Sequence, residues 1–474
     1  MRRFLWVIAV SALLLPAGHA AARTRVGAFY FDGWAGPLSN FHFAGLLDGP
    51  FAGRQPLDGW RDNSLQSMRT QLAWAHQDGI GFFLFDWYFR PAAGNGPLNS
   101  AHDNYLRLRD HDGVDYALAY ANQEGFVIPA DEWESVADYW VSHDFRRRDY
   151  VRVNGKPVLV IIDERGFTYQ MGGAAGVNHA FAVLQRAAQR HGLPGVFVVG
   201  GKYFSWGTLL YDCFPSRCND TDPAFVKEHY DAITQYGYPL VVNPEDGERP
   251  YDAFTSAEEQ VWAAIARRSP FRYIPSIMAG WDPRPIAQAL GPDEESGYPW
   301  LLGHLFWTRG SPRQVADAVR DGIAWAKSHP RLRVGSATSP LVVIEAWNEI
   351  SEGSWILPTI GDGYAYGEAI ADSLGVTWST VHPRHIVVTR VRRRIAQGLL
   401  AVADRWTPCA SARLEIDRRS ATGWTPVGAL STKPDGSFAA RIAAPGTYRI
   451  TTAPAPVYRQ TCAAAVSRTL RLQH

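Results

Sequence analysis

Eight short runs rich in β-branched and aromatic residues punctuate this chain: GAFYF (27–31), IGFFLFDW (80–87), YALAYAN (116–122), PVLVIID (157–163), VFVVG (196–200), YDAITQY (230–236), YIPSIMAGW (273–281) and PLVVIEAWN (340–348). Several are continuously apolar, as strands buried on both faces must be. Helical patterns lie between them, at 65–78, 178–191, 256–267 and 312–328. Eight strands with helical crossovers predict an α/β fold, a (β/α)8 TIM barrel of about 350 residues, a size that loop insertions allow. An open doubly wound sheet is the competing class. It usually has fewer strands and a Gly-rich phosphate turn after the first, whereas here Asp32-Gly33-Trp34 follows the first run.

Both ends of the chain read differently from this middle. Residues 1–22 combine Arg2 and Arg3, an apolar run from Phe4 to Leu15, and a small-residue end at Ala20-Ala21-Ala22, the pattern of a secretory signal peptide. No later stretch reaches the roughly 18 apolar residues of a membrane span, so the mature chain is expected without a transmembrane segment, secreted or periplasmic. Four cysteines suit an oxidising compartment and pair naturally as Cys213–Cys218 and Cys409–Cys462, each within one expected domain. No HExxH or HxxxH pattern occurs, and the cysteines lack partners at zinc-ligand spacing, so no metal or other cofactor is expected.

Formal net charge is only +1, from 47 basic and 46 acidic residues, which gives no electrostatic reason to seek nucleic acid. The distribution is uneven. Residues 385–474 hold 14 Lys or Arg against four acids, a net +10, which leaves −11 for residues 23–384. Alternating stretches with turns at Pro434-Asp435-Gly436 and Pro445-Gly446 predict a small C-terminal β-sandwich over 385–474, after a barrel over 23–384. Its arginines read either as a solvated surface on a packing domain or as an anchor for an anionic glycan of the cell envelope.

In such a barrel the chemistry sits at the C-terminal ends of the strands. Those ends carry Tyr30, Asp32 and Trp34; Asp86, Trp87 and Tyr88; Asn122, Gln123 and Glu124; Asp163 and Glu164; Tyr236; Trp281, Asp282 and Arg284; and Trp347-Asn348-Glu349-Ile350-Ser351-Glu352-Gly353. Carboxylates, amides and rings dominate this set. It lacks Cys and His, and the chain lacks a G-x-S-x-G nucleophile elbow. Glu349 and Glu352, three residues apart on a tight turn, can reach one glycosidic linkage. Paired carboxylates are what glycoside cleavage needs, one protonated for the leaving oxygen and one ionised at the anomeric carbon. With 18 Trp and 13% aromatic residues overall, rings such as Trp347 and Trp355 are available to stack on sugar faces.

The run AWNEISEGSWILP (346–358) resembles the Trp-Asn-Glu-x-x-Glu-Gly signature of the glycoside hydrolase family 99-like proteins, which include endo-α-mannosidases and WbsX-like proteins. GAFYFDGW (27–34), GIGFFLFDWYF (79–89), ALAYANQE (117–124), NGKPVLVI (154–161), YDAITQY (230–236) and AGWDPRP (279–285) are similar to that group in the same order, over about residues 26–375. The resemblance implies a metal-independent retaining glycosidase that acts on an oligo- or polysaccharide. It implies that Glu349 deprotonates the sugar 2-OH to give a 1,2-anhydro intermediate, while Glu352 is general acid and then base. On that reading Glu352 is the protonated partner at neutral pH. The family's Trp after the first glutamate and its Glu-Pro at the motif's end are here Ile350 and Leu357-Pro358, which implies a different sugar preference.

Two other functions fit parts of the sequence. Asp110-His-Asp112 and Asp220-Thr-Asp222 are D-x-D patterns of the kind that hold a metal and a nucleotide diphosphate in a glycosyltransferase of polysaccharide biosynthesis, the label WbsX-like relatives have carried. A non-catalytic glycan-binding barrel is the other.

Overall fold

The computed structural model describes residues 25–90, 98–123, 125–203, 227–236, 247–290, 305–403, 406–433, 435–457 and 460–472. The signal-peptide segment 1–22, Glu124, the Cys213–Cys218 pair and Asp220-Thr-Asp222 lie outside these residues.

A parallel sheet organises residues 25–345, with strands β1 (Arg25–Tyr30), β2 (Ile80–Trp87), β3 (Asp115–Tyr120), β4 (Lys156–Ile161), β5 (Phe197–Tyr203), β6 (Ala232–Tyr236), β7 (Arg272–Tyr273 and Ser276–Met278) and β8 (Leu341–Glu345). Each of β1 to β6 pairs with its successor, β6 pairs with the first segment of β7, the second segment pairs with β8, and β8 pairs with β1. The sheet is therefore TIM-barrel-like, and the two ends of its pairing order are separated only by Ile274 and Pro275. The pause in β7 has a local cause: Pro275 has no N–H to give to a ladder. Its carbonyl still accepts from Val343 N at 2.9 Å.

Helices between the strands follow the sequence pattern closely. Leu65–Asp78 opens on Ser64, whose side chain accepts from Ser67 N, and stops at Gly79 in the left-handed region at φ +80°. Both are ordinary helix punctuation. Pro312–Ser328 begins with a capping box between Ser311 and Gln314. Ala174–Arg190 and Tyr251–Arg268 start four or five residues earlier than the apolar periodicity indicates. Strands β2 to β4, helices and inner rings form one continuous core around Trp74, Trp140, Tyr116 and Trp347.

Beyond the last barrel helix (Ala365–Ser373) the chain enters β structure at Val381, a few residues before the expected boundary. Arg384–Arg392, Ile395–Val402 and Ser437–Arg441 form one antiparallel sheet, and Gly423–Ser431, Arg413–Ser420 and Gly446–Thr452 lead another. Ile386, Leu400 and Phe438 from the first meet Ile416, Tyr448 and Ile450 from the second in one small core. Cys409 and Cys462 form a disulfide with Cα atoms 5.4 Å apart, as the sequence pairing predicts. It is buried beside Trp406, whose ring lies flat on His382 at 4.6 Å and near Trp74 and Tyr364 of the barrel. Among the described residues no helix is long and apolar enough to cross a membrane.

Candidate active site

After β8 the chain makes a small hairpin. Asn348–Glu349 pairs antiparallel with Ser354–Trp355, and Gly353 N closes the loop on Ile350 O at 3.3 Å. Gly353 sits at φ +83°, and a Cβ there would lie 2.2 Å from Asp282 N, so the position needs glycine twice over. Two residues of the signature anchor this hairpin. The Asn348 amide exchanges two bonds with the backbone of Phe31, at 2.8 and 3.0 Å, and Trp347 Nε1 donates to Gln71 Oε1 at 2.9 Å. Trp34 Nε1 donates to Asn348 O at 2.9 Å from the other side.

Glu349 stands at the end of the first arm, buried, with Oε2 lacking a hydrogen-bond partner. Glu352, in the loop, is half-buried. Burial first, then the charges of Glu352, Asp86 and Glu345, push the Glu349 carboxyl well above the usual range, while a Tyr236 hydrogen bond works in the other direction. Tyr236 hydroxyl donates to Asp86 Oδ2 at 2.8 Å. Asp86 is also held well above its ordinary value, chiefly by burial, with the Asp32 and Glu352 charges adding. The Tyr88 phenol is raised by burial and by the charges of Asp86, Glu349, Asp32 and Glu352. Asp86, Tyr88, Tyr236, Glu349 and Glu352 therefore share one electrostatic environment. Like-charged carboxyls in such a place cannot all ionise, so the unliganded pair holds a proton on Glu349 at pH values where an exposed glutamate has lost its own. The cause is depth: Glu349 is the more deeply buried of the two.

Several side chains expected at the substrate are instead structural. Tyr30 is fully buried against Phe83 and Phe85, its hydroxyl donating to Asp62 Oδ2 at 3.0 Å. Asp32 accepts from Ala101 N at 2.8 Å and His102 N at 2.9 Å, so both its oxygens hold the first turn of the helix Ser100–Arg107. Burial nonetheless pushes Asp32 up to about 7. Asn122 exchanges bonds with the backbone of Asp163, both 2.8 Å, and is fully buried. Trp347 and Asn348 are anchors, as described, and Trp34 is buried beside them. Strand ends turn half of their residues inward, and residue type alone does not say which half.

Others lie where a ligand could reach them. Tyr88 and Trp87 line a cleft of about 500 Å³ with Arg90, Asn99, Glu132 and Tyr139. Gln123 and Arg284 are half-buried, and in the loop after β7 Trp281 and Asp282 are buried, with Asp282 accepting from Arg284 Nε at 2.6 Å. Trp355 is buried with its face covered: the Arg309 guanidinium lies 3.7 Å from its ring centre and 3.5 Å from that of Tyr366. Arg309 also donates to Trp355 O at 2.8 Å and pairs with Asp362. Arg309 and the equally buried Arg54, bonded to Asp282, are site residues that sequence reasoning missed. A second cavity, of about 520 Å³ beside Gly79, Asp321, Lys327 and Leu374, opens at the opposite end of the strands. Asp110-His-Asp112 also lies at that far end, just before β3, where Asp112 N is tied to Asp110 Oδ1 at 3.1 Å. Among the described residues no cluster of three or more His, Cys, Asp or Glu could hold a metal ion.

No protein-family model and no curated protein matches the chain by sequence. Among solved structures it is similar to the GH99 endo-α-mannosidase of Bacteroides thetaiotaomicron, at TM-score 0.47 and 14% identity for the Bis-Tris-propane complex and 0.48 and 15% for another structure. Both alignments cover 74% of this chain and 97% of that one. It is also similar to a chitinase from the same organism, at TM-score 0.37 and 11% identity over 74% of this chain and 96% of the other.

Proposed function

We propose that the chain is an exported glycoside hydrolase that cleaves α-linked bonds, manno-configured sugars among them, inside a polysaccharide, with retention of configuration. The observation that carries this reading is the hairpin of Glu349 and Glu352, two carboxyls on one short loop that feel each other's charge, one deep and one shallow. The scaffold is a closed (β/α)8 barrel whose seventh strand bridges its own gap, through Ile274 N to Ile233 O at 3.0 Å and Val343 N to Pro275 O at 2.9 Å. A basic β-sandwich follows it.

Two carboxyls three residues apart sit on the same side of a sugar, an awkward arrangement for an acid and a nucleophile on opposite faces of the anomeric carbon. They suit a reaction in which the substrate's 2-OH is the nucleophile. Glu349 carboxylate takes the 2-OH proton, O2 bonds to C1, and the C1–O bond to the leaving sugar breaks as Glu352 carboxyl gives its proton to that oxygen. Water then opens the 1,2-anhydro ring at C1, giving its proton to Glu352, while Glu349 returns its proton to O2. The raised affinity of Glu349 for a proton makes its ionised form the stronger base toward an alcohol. The pair needs one proton, and the productive arrangement has it on Glu352. Desolvation of Glu352 by bound substrate, and a 2-OH hydrogen bond to ionised Glu349, favour that arrangement over the resting one.

Export rests on the N-terminal pattern and is supported by the Cys409–Cys462 disulfide. The arginines of the C-terminal module are proposed to hold an anionic glycan of the cell envelope near the site. The decisive experiment is release of reducing ends from a panel of microbial polysaccharides by the purified chain, repeated with Glu349→Gln and Glu352→Gln. Activity on any α-glycan that Glu349→Gln abolishes supports the reading. Cleavage that survives both substitutions sinks it.

A further inference from the structure

We infer that Arg54 is a positioning residue of the catalytic hairpin: its guanidinium ties the Glu349–Glu352 loop to the loop after β7 and fixes how the two carboxyls face each other. This rests on the hydrolase reading given above. Arg54 ends a short 3-10 turn, Gly49–Arg54, in the connection after β1. Its Nη1 donates to Ile350 O and to Asp282 O, 3.1 Å each, and its Nη2 is bonded to Asp282 Oδ2. The Asp282 backbone N–H in turn donates to Glu352 O at 2.7 Å. One guanidinium thus gathers carbonyls from two loops, and both loops are joined again at Glu352 itself. The catalytic loop is fixed at its second and fourth residues, with Gly353 letting the Asp282 backbone approach it.

The cation is built in rather than laid on. Its side chain is only 10% exposed and lies over the rings of Phe51 at 4.7 Å and Trp355 at 5.2 Å. Burial lowers Arg54 to about 10, with Asp282 opposing and Arg309 and Arg284 assisting that shift, so it remains charged at neutral pH. Two carbonyl oxygens converging in a dry place repel each other unless a donor separates them, and a planar fork separates them in a fixed geometry. Lysine carries the charge without the fork. Arg54→Lys therefore keeps the cation and removes the shape, which is the property at issue.

The titration of Glu349 reports the clamp without any substrate. The groups facing its carboxyl are Glu352, Glu345, Asp86 and the Tyr236 hydroxyl. A loosened loop admits water and separates Glu349 from Glu352, so in Arg54→Lys the Glu349 carboxyl should titrate closer to an ordinary glutamate. Difference infrared spectra against Glu349→Gln isolate that carboxyl band as pH is varied in the full chain. With an α-glycoside that the wild type cleaves, kcat should fall about 10- to 100-fold with KM nearly constant, because misplacing a catalytic group acts on the chemical step. A Glu349 titration identical in Arg54→Lys and wild type overturns the inference, whatever happens to kcat. If no glycoside is cleaved by the wild type, the hydrolase reading fails while the infrared comparison still decides the clamp. Should Arg54→Lys not fold, Asp282→Asn, which weakens the ion pair and keeps the backbone donor to Glu352, must shift the titration in the same direction, and an unmoved band again overturns it.

Discussion

The barrel and the C-terminal module treat charge in opposite ways. Around the hairpin the barrel buries Asp32, Asp86, Glu345, Glu349, Arg54 and Asp282, and oxygens of Glu349 and Asp86 lack hydrogen-bond partners. In the module, among the described residues, only Arg384 and Asp417 are buried charges, and both are satisfied. Arg384 donates to two carbonyls at 2.6 Å, and Asp417 accepts from Arg449 at 2.8 Å. The module's remaining arginines are mostly exposed. Buried, incompletely bonded carboxylates cost stability and persist where the surrounding fold imposes them. Exposed, uncompensated cations cost almost nothing and act at long range.

Removing the buried Glu349 carboxyl should give the largest effect. Glu349→Gln should lower turnover by about 10³-fold or more on every substrate, the scale of losing a group that acts in the transition state. Glu352→Gln should spare substrates such as aryl glycosides or glycosyl fluorides whose leaving groups need little protonation. A 2-deoxy substrate should bind without being cleaved. An ordinary cleavage rate on that substrate breaks the 2-OH mechanism.

Next in size is the joint between the two regions. The Cys409–Cys462 disulfide closes a loop of 53 residues and lies in the same core cluster as Trp406 and the barrel's rings. Replacing both cysteines with Ala should destabilise the chain by about 2–5 kcal/mol. The loss should be read by denaturant unfolding under oxidising conditions. Equal stability with and without the bridge would show that the packing around Trp406 holds this core without it.

Glu349→Gln should have a second consequence, opposite in sign to the first. The folded Glu349 carboxyl holds its proton more tightly than the unfolded one, so its contribution to stability is present below the ordinary glutamate range and lost as pH rises through the folded value. Glutamine does not titrate. The variant's melting temperature relative to wild type should therefore rise with pH above the ordinary glutamate range, even as activity vanishes. Asp32, raised to about 7, contributes in the same direction between about pH 4 and pH 7. A melting difference that stays flat with pH would mean the Glu349 site is wetter than its burial indicates.

Much of this was legible in the sequence, and the exceptions have reasons. Strand runs identified all eight β elements because buried strands are continuously apolar, and two helices matched their apolar pattern end to end. The Glu349–Glu352 pair stood out because its spacing and its strand-end context coincide. What spacing could not show is direction. Trp347 looked like a sugar platform and is core, while Tyr30 and Asp32 looked like ligand contacts and are, respectively, core and an anchor for a helix. Arg54 and Arg309 left no signal at all. Arg54 bonds carbonyls 228 and 296 residues away, and a carbonyl has no residue type.

The smallest effect, and the sharpest test of the module's half of the comparison, concerns the hairpin joining Arg384–Arg392 to Ile395–Val402. Its register pairs Arg392 with Ile395, leaving Arg393 and Arg394 as a two-residue turn with φ of +46° and +65°. Asn-Gly is the usual choice there, and an L-residue in that region costs roughly 1 kcal/mol each. Arg390, Arg392, Arg393 and Arg394 are exposed, and none has a carboxylate partner among the described residues. The turn thus carries charge where conformation disfavours it. Changing Arg393-Arg394 to Asn-Gly should stabilise the module by about 1 kcal/mol and weaken binding to an anionic polysaccharide such as polygalacturonate. The loss should be severalfold at low salt and vanish as ionic strength rises, with hydrolysis of a small neutral glycoside unchanged. Binding that is equally tight at all salt concentrations, or unaffected by the change, would reduce these arginines to a solvated surface.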